Sequence, residues 1–207
     1  MRFLITAGPT REPIDPVRYL SNRSSGKMGY ALAKATLEAG HEVVLVSGPV
    51  SLAAPEGVDL VSVETAAEMF DAVKREIGEA DVAIFCAAVA DYRVADIAGE
   101  KLKKNSEEMT LRLVRNPDIL GRVRTEFGFE GILVGFAAET DNVEANAREK
   151  LVRKGCDFLV ANDVSRSDIG FDRDDNEVTF FSASGEMEKL ARAGKEEIAR
   201  EILVRIG

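Results

Sequence analysis

Histidine is nearly absent from this chain of 207 residues: His41 is the only one. A multi-histidine metal centre therefore has no ligands, and a Ser-His-Asp relay has one imidazole to use. His41 follows Gly40 and precedes the second strand-like run, where it reads as an ordinary loop residue. Cysteine is almost as scarce. Cys86 and Cys156 have no CxxC or metal-ligand spacing, and each lies beside a strand-like run, so both are expected to be buried structural thiols. No stretch reaches the 18 or so apolar residues of a membrane helix, and Met1 leads into a strand-like run without the apolar core of a signal peptide. The expectation is a cytoplasmic protein with no membrane partner. Nor is there an excess of positive charge: 27 basic against 36 acidic residues leave a formal charge of −9. Broad attraction to nucleic acid or anionic lipid is not expected, and any anionic ligand must be held by local cations.

Two nucleotide-binding signatures are also missing. GxGxxG needs a tight turn directly after the first strand and an acidic residue near the end of the second. Here a long segment intervenes, and the second strand ends Val46-Ser47-Gly48-Pro49. Gly26-Lys27 fails as a P-loop because Met28 stands where Ser or Thr is required. Tyr30 and Lys34 have the YxxxK spacing of short-chain dehydrogenases, but on the first helix they read as packing and surface.

What is present is an alternation of strand-like and helical runs. The composition, 45% hydrophobic and 30% charged, is that of an ordinary globular protein, and the length suits a single domain over residues 1–207. Strands are expected at Arg2 to Ala7, Glu42 to Ser47, Val58 to Val63, Val82 to Ala87, Ile132 to Ala137, Phe158 to Ala161 and Glu177 to Phe181. Helices are expected over Met28 to Ala39, after a Thr65 to Glu68 capping box, from Asn116 as N-cap with Pro117 first, up to Lys154 before Gly155, and from Lys195 to Ile206. The fold class is α/β: a doubly wound, Rossmann-like, mostly parallel sheet, with a small antiparallel addition near Lys101 to Val114 at the end of a flexible basic excursion.

Two places stand out. The segment Gly8 to Lys27 is too long for a strand-to-helix connection, is stiffened by Pro9, Pro13 and Pro16, and carries no secondary-structure pattern of its own, so it reads as a binding loop. Its end, around Ser24, Ser25, Gly26 and Gly29, is either a phosphate site at a helix N-terminus or ordinary capping. The second place is Ala87 to Arg93, where small residues are followed by a carboxylate and an aromatic at the carboxyl end of a strand. Ligands of open α/β sheets collect at such ends, and the two segments are expected to face one crevice.

Taken together, TAGPTREPIDPVRYLSNRSSGKMGYALA, CAAVADYR, EKLKK, RNPDIL, GFAAET and VANDVS, in that order, resemble the phosphopantothenoylcysteine synthetases, the phosphopantothenate–cysteine ligases that form the second activity of a bacterial bifunctional coenzyme A enzyme. The resemblance implies a ligation in which 4′-phosphopantothenate is activated by CTP as an acyl-cytidylate and then captured by L-cysteine. Mg²⁺ is implied on the triphosphate, with no metal site of the protein's own, and a homodimer is implied with the site shared across it. The flavin-dependent decarboxylase half that usually precedes such a domain is missing, so no flavin is expected here; a stand-alone enzyme and an excised domain both fit.

The matching positions carry implied roles. Gly8, Ser24, Gly26 and Gly29 surround the nucleotide phosphates, and Asn22 serves the acyl-nucleotide centre, donating to an oxyanion or fixing the carbonyl. Arg18 serves the substrate's phosphate or carboxylate, or else clamps the loop. Ala87, Ala88 and Asp91 contact the pantothenate arm or the nucleotide. Lys101 is a flexible cation closing over the triphosphate, with Lys103 and Lys104 solvated beside it. Asn116, Pro117, Asp118 and Ile119 form a turn at the nucleotide, Phe136 packs near base or ribose, and Lys150 and Lys154 are basic positions of the CTP site or favourable charges at a helix C-terminus. Two other readings stand beside the ligase: a nucleotide-sugar or NAD(P) oxidoreductase, which the missing ribose carboxylate disfavours, and a nucleotide-sensing module, which has no need of Asn22 and Lys101.

Overall fold

A computed structural model describes residues 1–104, 107–139, 141–163 and 175–207. In chain order the elements begin with β1 (Arg2–Ala7), β2 (Arg11–Pro13), β3 (Tyr19–Ser21), α1 (Lys27–Glu38), β4 (Glu42–Ser47), β5 (Asp59–Ser62), α2 (Ala66–Glu76), β6 (Val82–Phe85), β7 (Tyr92–Val94) and β8 (Leu113–Arg115). They continue with α3 (Ile119–Arg122), β9 (Ile132–Glu139), α4 (Val143–Lys154), β10 (Phe158–Asp163), β11 (Asp175–Ser182), β12 (Met187–Gly194) and α5 (Lys195–Ile206).

Eight strands form one sheet in the order β12-β11-β10-β9-β6-β1-β4-β5. β5, β4, β1, β6, β9 and β10 run parallel, whereas β11 is antiparallel to both β10 and β12. The parallel strands are apolar on both sides because both faces are covered. Phe3, Ile5, Val43, Leu45 and Ile84 point to one face, where α1 and α5 lie side by side with Leu32, Ile198 and Ile202 fully buried. Leu4, Val44, Ala83 and Leu133 point to the other, under α2, α3 and α4. The expected capping box is formed at α2: Glu68 N–H donates to the Thr65 hydroxyl, and Glu68 accepts from Thr65 N–H. Among the described residues no helix is long and apolar enough to cross a membrane.

Several expectations change. The segment after β1 is not structureless: Arg11 to Pro13 pairs with Tyr19 to Ser21 as an antiparallel hairpin. It is anchored across the sheet's end, since Glu12, 1% exposed, accepts from Ala66 N–H at the start of α2. The antiparallel addition lies at Tyr92–Val94 against Leu113–Arg115 rather than at Lys101 to Val114, because pairing begins only where Ala90 and Asp91 hold Asn116. Asn116 does not cap the next helix. Asp118 does, accepting from Gly121 N–H at 3.0 Å, and the helix is a single turn. β12 was not expected; its burial pattern, with only Leu190 buried, gives little periodicity to read. β6 ends at Phe85, two residues short of the expected Ala87, while β9 and β10 run two residues further than expected. Cys156 is buried as expected, but Cys86 is only partly so. Thr140 of the GFAAET segment and Val164 and Ser165 of the VANDVS segment lie outside the described residues.

Candidate functional site

The cleft at the carboxyl ends of β1, β6 and β9 has a volume of about 830 Å³, within the range of ligand-binding cavities. Its floor is built where two strand exits are stitched together. After β1 the chain turns at Gly8, and after β6 it runs alongside: Ala88 N–H donates to Gly8 O at 2.9 Å, and Ala90 N–H to the buried Thr10 hydroxyl at 3.0 Å. The same turn is held from a third side by Asn116, whose Nδ2 donates to Ala90 O at 2.8 Å.

One end of the cleft is the start of α1. Gly26 takes φ +76°, a left-handed conformation that favours glycine, and among the described residues no side-chain hydrogen bond caps the helix. The first-turn amides and the helix dipole are thus turned toward the cleft, which favours the phosphate reading over ordinary capping. Gly29 brings α1 against β1: a Cβ there would sit 2.5 Å from Ala7 Cβ. The opposite end lies between α3 and α4. Lys150 Nζ donates to Phe136 O at 2.9 Å, and burial pushes its ammonium below the usual lysine range, opposed by nearby Glu139. Lys154 pairs with Asp118. Burial acts to raise that carboxyl, but the Lys154 ammonium and the Gly121 amide outweigh it and hold it below the usual range.

Asn22, Ser24, Gly26, Gly29, Ala87, Ala88, Asp91, Asn116, Pro117, Asp118, Ile119, Phe136, Lys150 and Lys154 all line this one cleft. Gly8 lies beneath it, its Cα 3.4 Å from where a Cβ on Gly26 would be. Asn22 Nδ2 donates to both Ala88 O and Val89 O at 3.1 Å, which assigns the amide orientation and leaves Oδ1 as the acceptor. Its N–H groups are therefore engaged with the protein, not poised to donate to an oxyanion.

Arg18 and Lys101 are not brought into the cleft. Arg18 donates through Nε at 3.0 Å and Nη2 at 2.5 Å to Asp15, and through Nη2 to Leu102 O at 3.1 Å. The clamping role is the one its geometry serves. Asp15 is 3% exposed and also accepts from Val17, Arg18 and Leu102 backbone amides. Its carboxyl is held well below the usual range, first by the Arg18 hydrogen bond. Lys101 is exposed next to the tethered Leu102, so its backbone is anchored on one side rather than free.

Among the lining residues to which sequence reading gave no role are Asn162, Asn176 and Lys195. Each sits at the edge where the sheet's carboxyl ends meet the last strand–helix unit. Asn162 follows an apolar strand run, which was the available signal; Asn176 and Lys195 depend on the unforeseen β12. Asn162 Oδ1 is buried, with no hydrogen-bond partner among the described residues. At the end of β4, Ser47 is buried and bonded to Tyr30 and Gly48, so that edge offers no ribose carboxylate.

The family model for the DNA/pantothenate metabolism flavoprotein C-terminal domain matches residues 1–207. The chain is 52% identical over 206 residues to the coenzyme A biosynthesis bifunctional protein CoaBC of Vibrio vulnificus strain CMCP6, covering 99% of this chain and 51% of that protein. It is 47% identical to the protein of the same name from Escherichia coli strain K12, covering 99% and 50%. The chain thus spans about half the length of these relatives. The crystal structure of the C-terminal domain of a CoaBC superposes with a TM-score of 0.84 at 44% identity, over 99% of this chain and 93% of that one.

Proposed function

The chain belongs to the DNA/pantothenate metabolism flavoprotein C-terminal domain family, and from that premise we propose that it is a phosphopantothenate–cysteine ligase that uses CTP. The observation that carries the reading is the single cleft joining the glycine-led N-terminus of α1, the Asn22-braced turn at Ala87 to Val89, and the Lys150 and Lys154 cations. Names of the relatives place them in coenzyme A biosynthesis.

In the first step a carboxylate oxygen of 4′-phosphopantothenate attacks the α-phosphorus of CTP, the bond to the β-phosphate oxygen breaks, and pyrophosphate leaves. Ser24, Gly26 and Gly29, with Gly8 beneath, cradle the phosphates through backbone amides. Asn116, Pro117, Asp118, Ile119 and Phe136 receive the nucleoside, and Lys150 and Lys154 offset the charge beside it. Lys101 serves the outer phosphates from the rim, carried on the stretch that Asp15 and Arg18 anchor. In the second step the amine of L-cysteine attacks the acyl carbon, and CMP departs with the electron pair of the broken C–O bond. Asn22 holds the Ala88 and Val89 carbonyls and presents Oδ1 to accept from the incoming amine, while Ala87 and Ala88 let the acyl group approach the backbone and Asp91 closes the substrate side.

Among the described residues no three His, Cys, Asp or Glu side chains gather to hold a metal. That donor set fits an ion that enters with the nucleotide and draws most of its ligands from phosphate oxygens. Mg²⁺ carried in by the nucleotide would supply positive charge beside the pyrophosphate as it leaves. A homodimer is part of the proposal: Val17, Tyr19, Tyr92, Ile97 and Leu113 are exposed on two adjoining hairpins, linked by Ala98 N–H to Ile14 O, and such a patch suits a second copy. A cytoplasmic location goes with these substrates.

The test is product analysis. With 4′-phosphopantothenate, Mg²⁺, CTP and L-cysteine, the expected products are pyrophosphate, CMP and 4′-phosphopantothenoyl-L-cysteine in equal amounts. No pyrophosphate with or without cysteine would sink the proposal.

A further inference from the structure

Lys195 is 7% exposed, yet it belongs to none of the roles above. Lysine is rarely buried so deeply. It is also the first residue of α5, where the helix dipole disfavours a cation and Glu196 and Glu197 follow it. Glu196 is turned to Lys34, which donates to it at 2.7 Å. Lys195 has partners of its own in the protein, so it is not its burial but its place in the cleft that assigns it a role.

Topology supplies the place. β12 is antiparallel to β11, which is antiparallel to β10, so β12 runs with the parallel strands and ends at the same edge. α5 therefore starts beside α1, on the same face of the sheet. Lys195 lines the cleft together with Gly26, Lys27 and Met28. Its charge also reaches the end of β6: burial pushes the Cys86 thiol up to about 12, and the positive Lys195 opposes that rise. Lys195 thus shares one cleft with the α1 start and with Cys86, the residue that precedes Ala87.

The geometry points to Lys195 as a binding residue for the terminal phosphates of the nucleotide, the pair that leaves as pyrophosphate. This rests on the ligase reading. A nucleoside placed at Phe136 and Lys150 on the α3–α4 side directs its triphosphate over the edge of the sheet toward α1. The phosphates that extend past the α1 cradle then meet α5. Lys195 holds them from within, opposite Lys101 on the rim, and stabilises the charge that collects on pyrophosphate as the α-phosphorus bond breaks.

CTP and CMP share the nucleoside and α-phosphate, so their contrast isolates Lys195. In calorimetric titrations Lys195→Gln is expected to weaken CTP by about tenfold or more while CMP stays within about twofold, and Lys195→Arg to recover most of the loss. Inorganic pyrophosphate, as an inhibitor competing with CTP, is expected to weaken in parallel. Equal losses for CTP and CMP, or no loss for either, would overturn the assignment. Folded wild-type protein gives a check that no substitution can confound: with ¹⁵N-lysine labelling, inorganic pyrophosphate shifts the Lys195 side-chain resonance, and an unmoved resonance overturns the assignment. Wild-type protein that neither binds CTP nor releases pyrophosphate would instead bring down the ligase reading beneath it.

Discussion

Gly29→Ala separates the packing role of the α1 start from its role as phosphate cradle. Inside a helix, Gly→Ala ordinarily gains about 1 kcal/mol from backbone entropy. Here the new Cβ meets Ala7 Cβ at 2.5 Å, Ala7 Cα at 3.1 Å and Thr6 O at 3.3 Å. None of these atoms belongs to a side chain that can rotate away. Carbon atoms pack best at roughly 3.5 to 4 Å, so α1 must retreat from β1 by about 1 Å. Overpacking of this kind costs about 1–3 kcal/mol, which outweighs the helical gain and leaves a net loss of up to about 2 kcal/mol. That corresponds to a fall in Tm of up to roughly 8 °C for a chain of this size. A shift of about 1 Å in positioning groups can cost about 100-fold in rate, so kcat/KM for CTP is expected to suffer more than stability does. Gly78→Ala is the control, since nothing lies within 4 Å of its Cβ position; it should leave activity unchanged and stability equal or slightly higher. Thermal denaturation and steady-state kinetics on both variants decide. A Gly29→Ala protein as stable and as active as the Gly78→Ala protein would refute the close-approach argument.

Asn22→Asp replaces a donor to two carbonyls with a carboxylate oxygen, removing bonds worth about 1–3 kcal/mol together and setting like partial charges against each other. A first turnover should still release pyrophosphate while CMP formation lags by about 10- to 100-fold; rapid CMP release at the wild-type rate would remove Asn22 from the mechanism. Asp15 contributes to acid sensitivity. Its folded-state value lies below the usual 3.8, so its stabilisation is present above that pH and is lost as pH falls through it toward the lowered value. Urea midpoints of Asp15→Asn should therefore be lower than wild type near neutral pH, with the gap narrowing progressively as pH falls below 3.8; parallel curves would contradict the clamp. Burial pushes the thiols of Cys86 and Cys156 up to about 12 and about 11. At about pH 8 both should alkylate at least roughly 100-fold more slowly than in the urea-unfolded chain; fast labelling of Cys156 would refute its burial, and fast labelling of the half-buried Cys86 would refute the upward push on its thiol.

Most of the parallel sheet could be read from the chain because its strands are apolar runs bounded by capping and turn residues. Arg2–Ala7, Glu42–Ser47 and Lys195–Ile206 have the expected bounds, as does the capping box at Thr65. The cleft was legible for a different reason: its residues come from strand ends and helix starts, where Asn22, Asp91 and Asn116 have no packing duty that hides them. What escaped depends on long-range contacts. Arg18 has a substrate-like look in sequence, yet Asp15 three residues away and Leu102 far along the chain decide where it points. The hairpin of β2 and β3 is only three residues a side, too short for a period of two to show. Lys195 reads as the ordinary start of a helix until β12 brings it to the edge shared with α1.

Oxygen transfer tests the proposed ligation most directly. 4′-Phosphopantothenate labelled with ¹⁸O at both carboxylate positions, incubated with CTP, Mg²⁺ and L-cysteine, should give CMP carrying one ¹⁸O on its phosphate and a product amide retaining the other. Unlabelled CMP would contradict attack at the α-phosphorus, and label found in inorganic phosphate would show activation at a terminal phosphate instead.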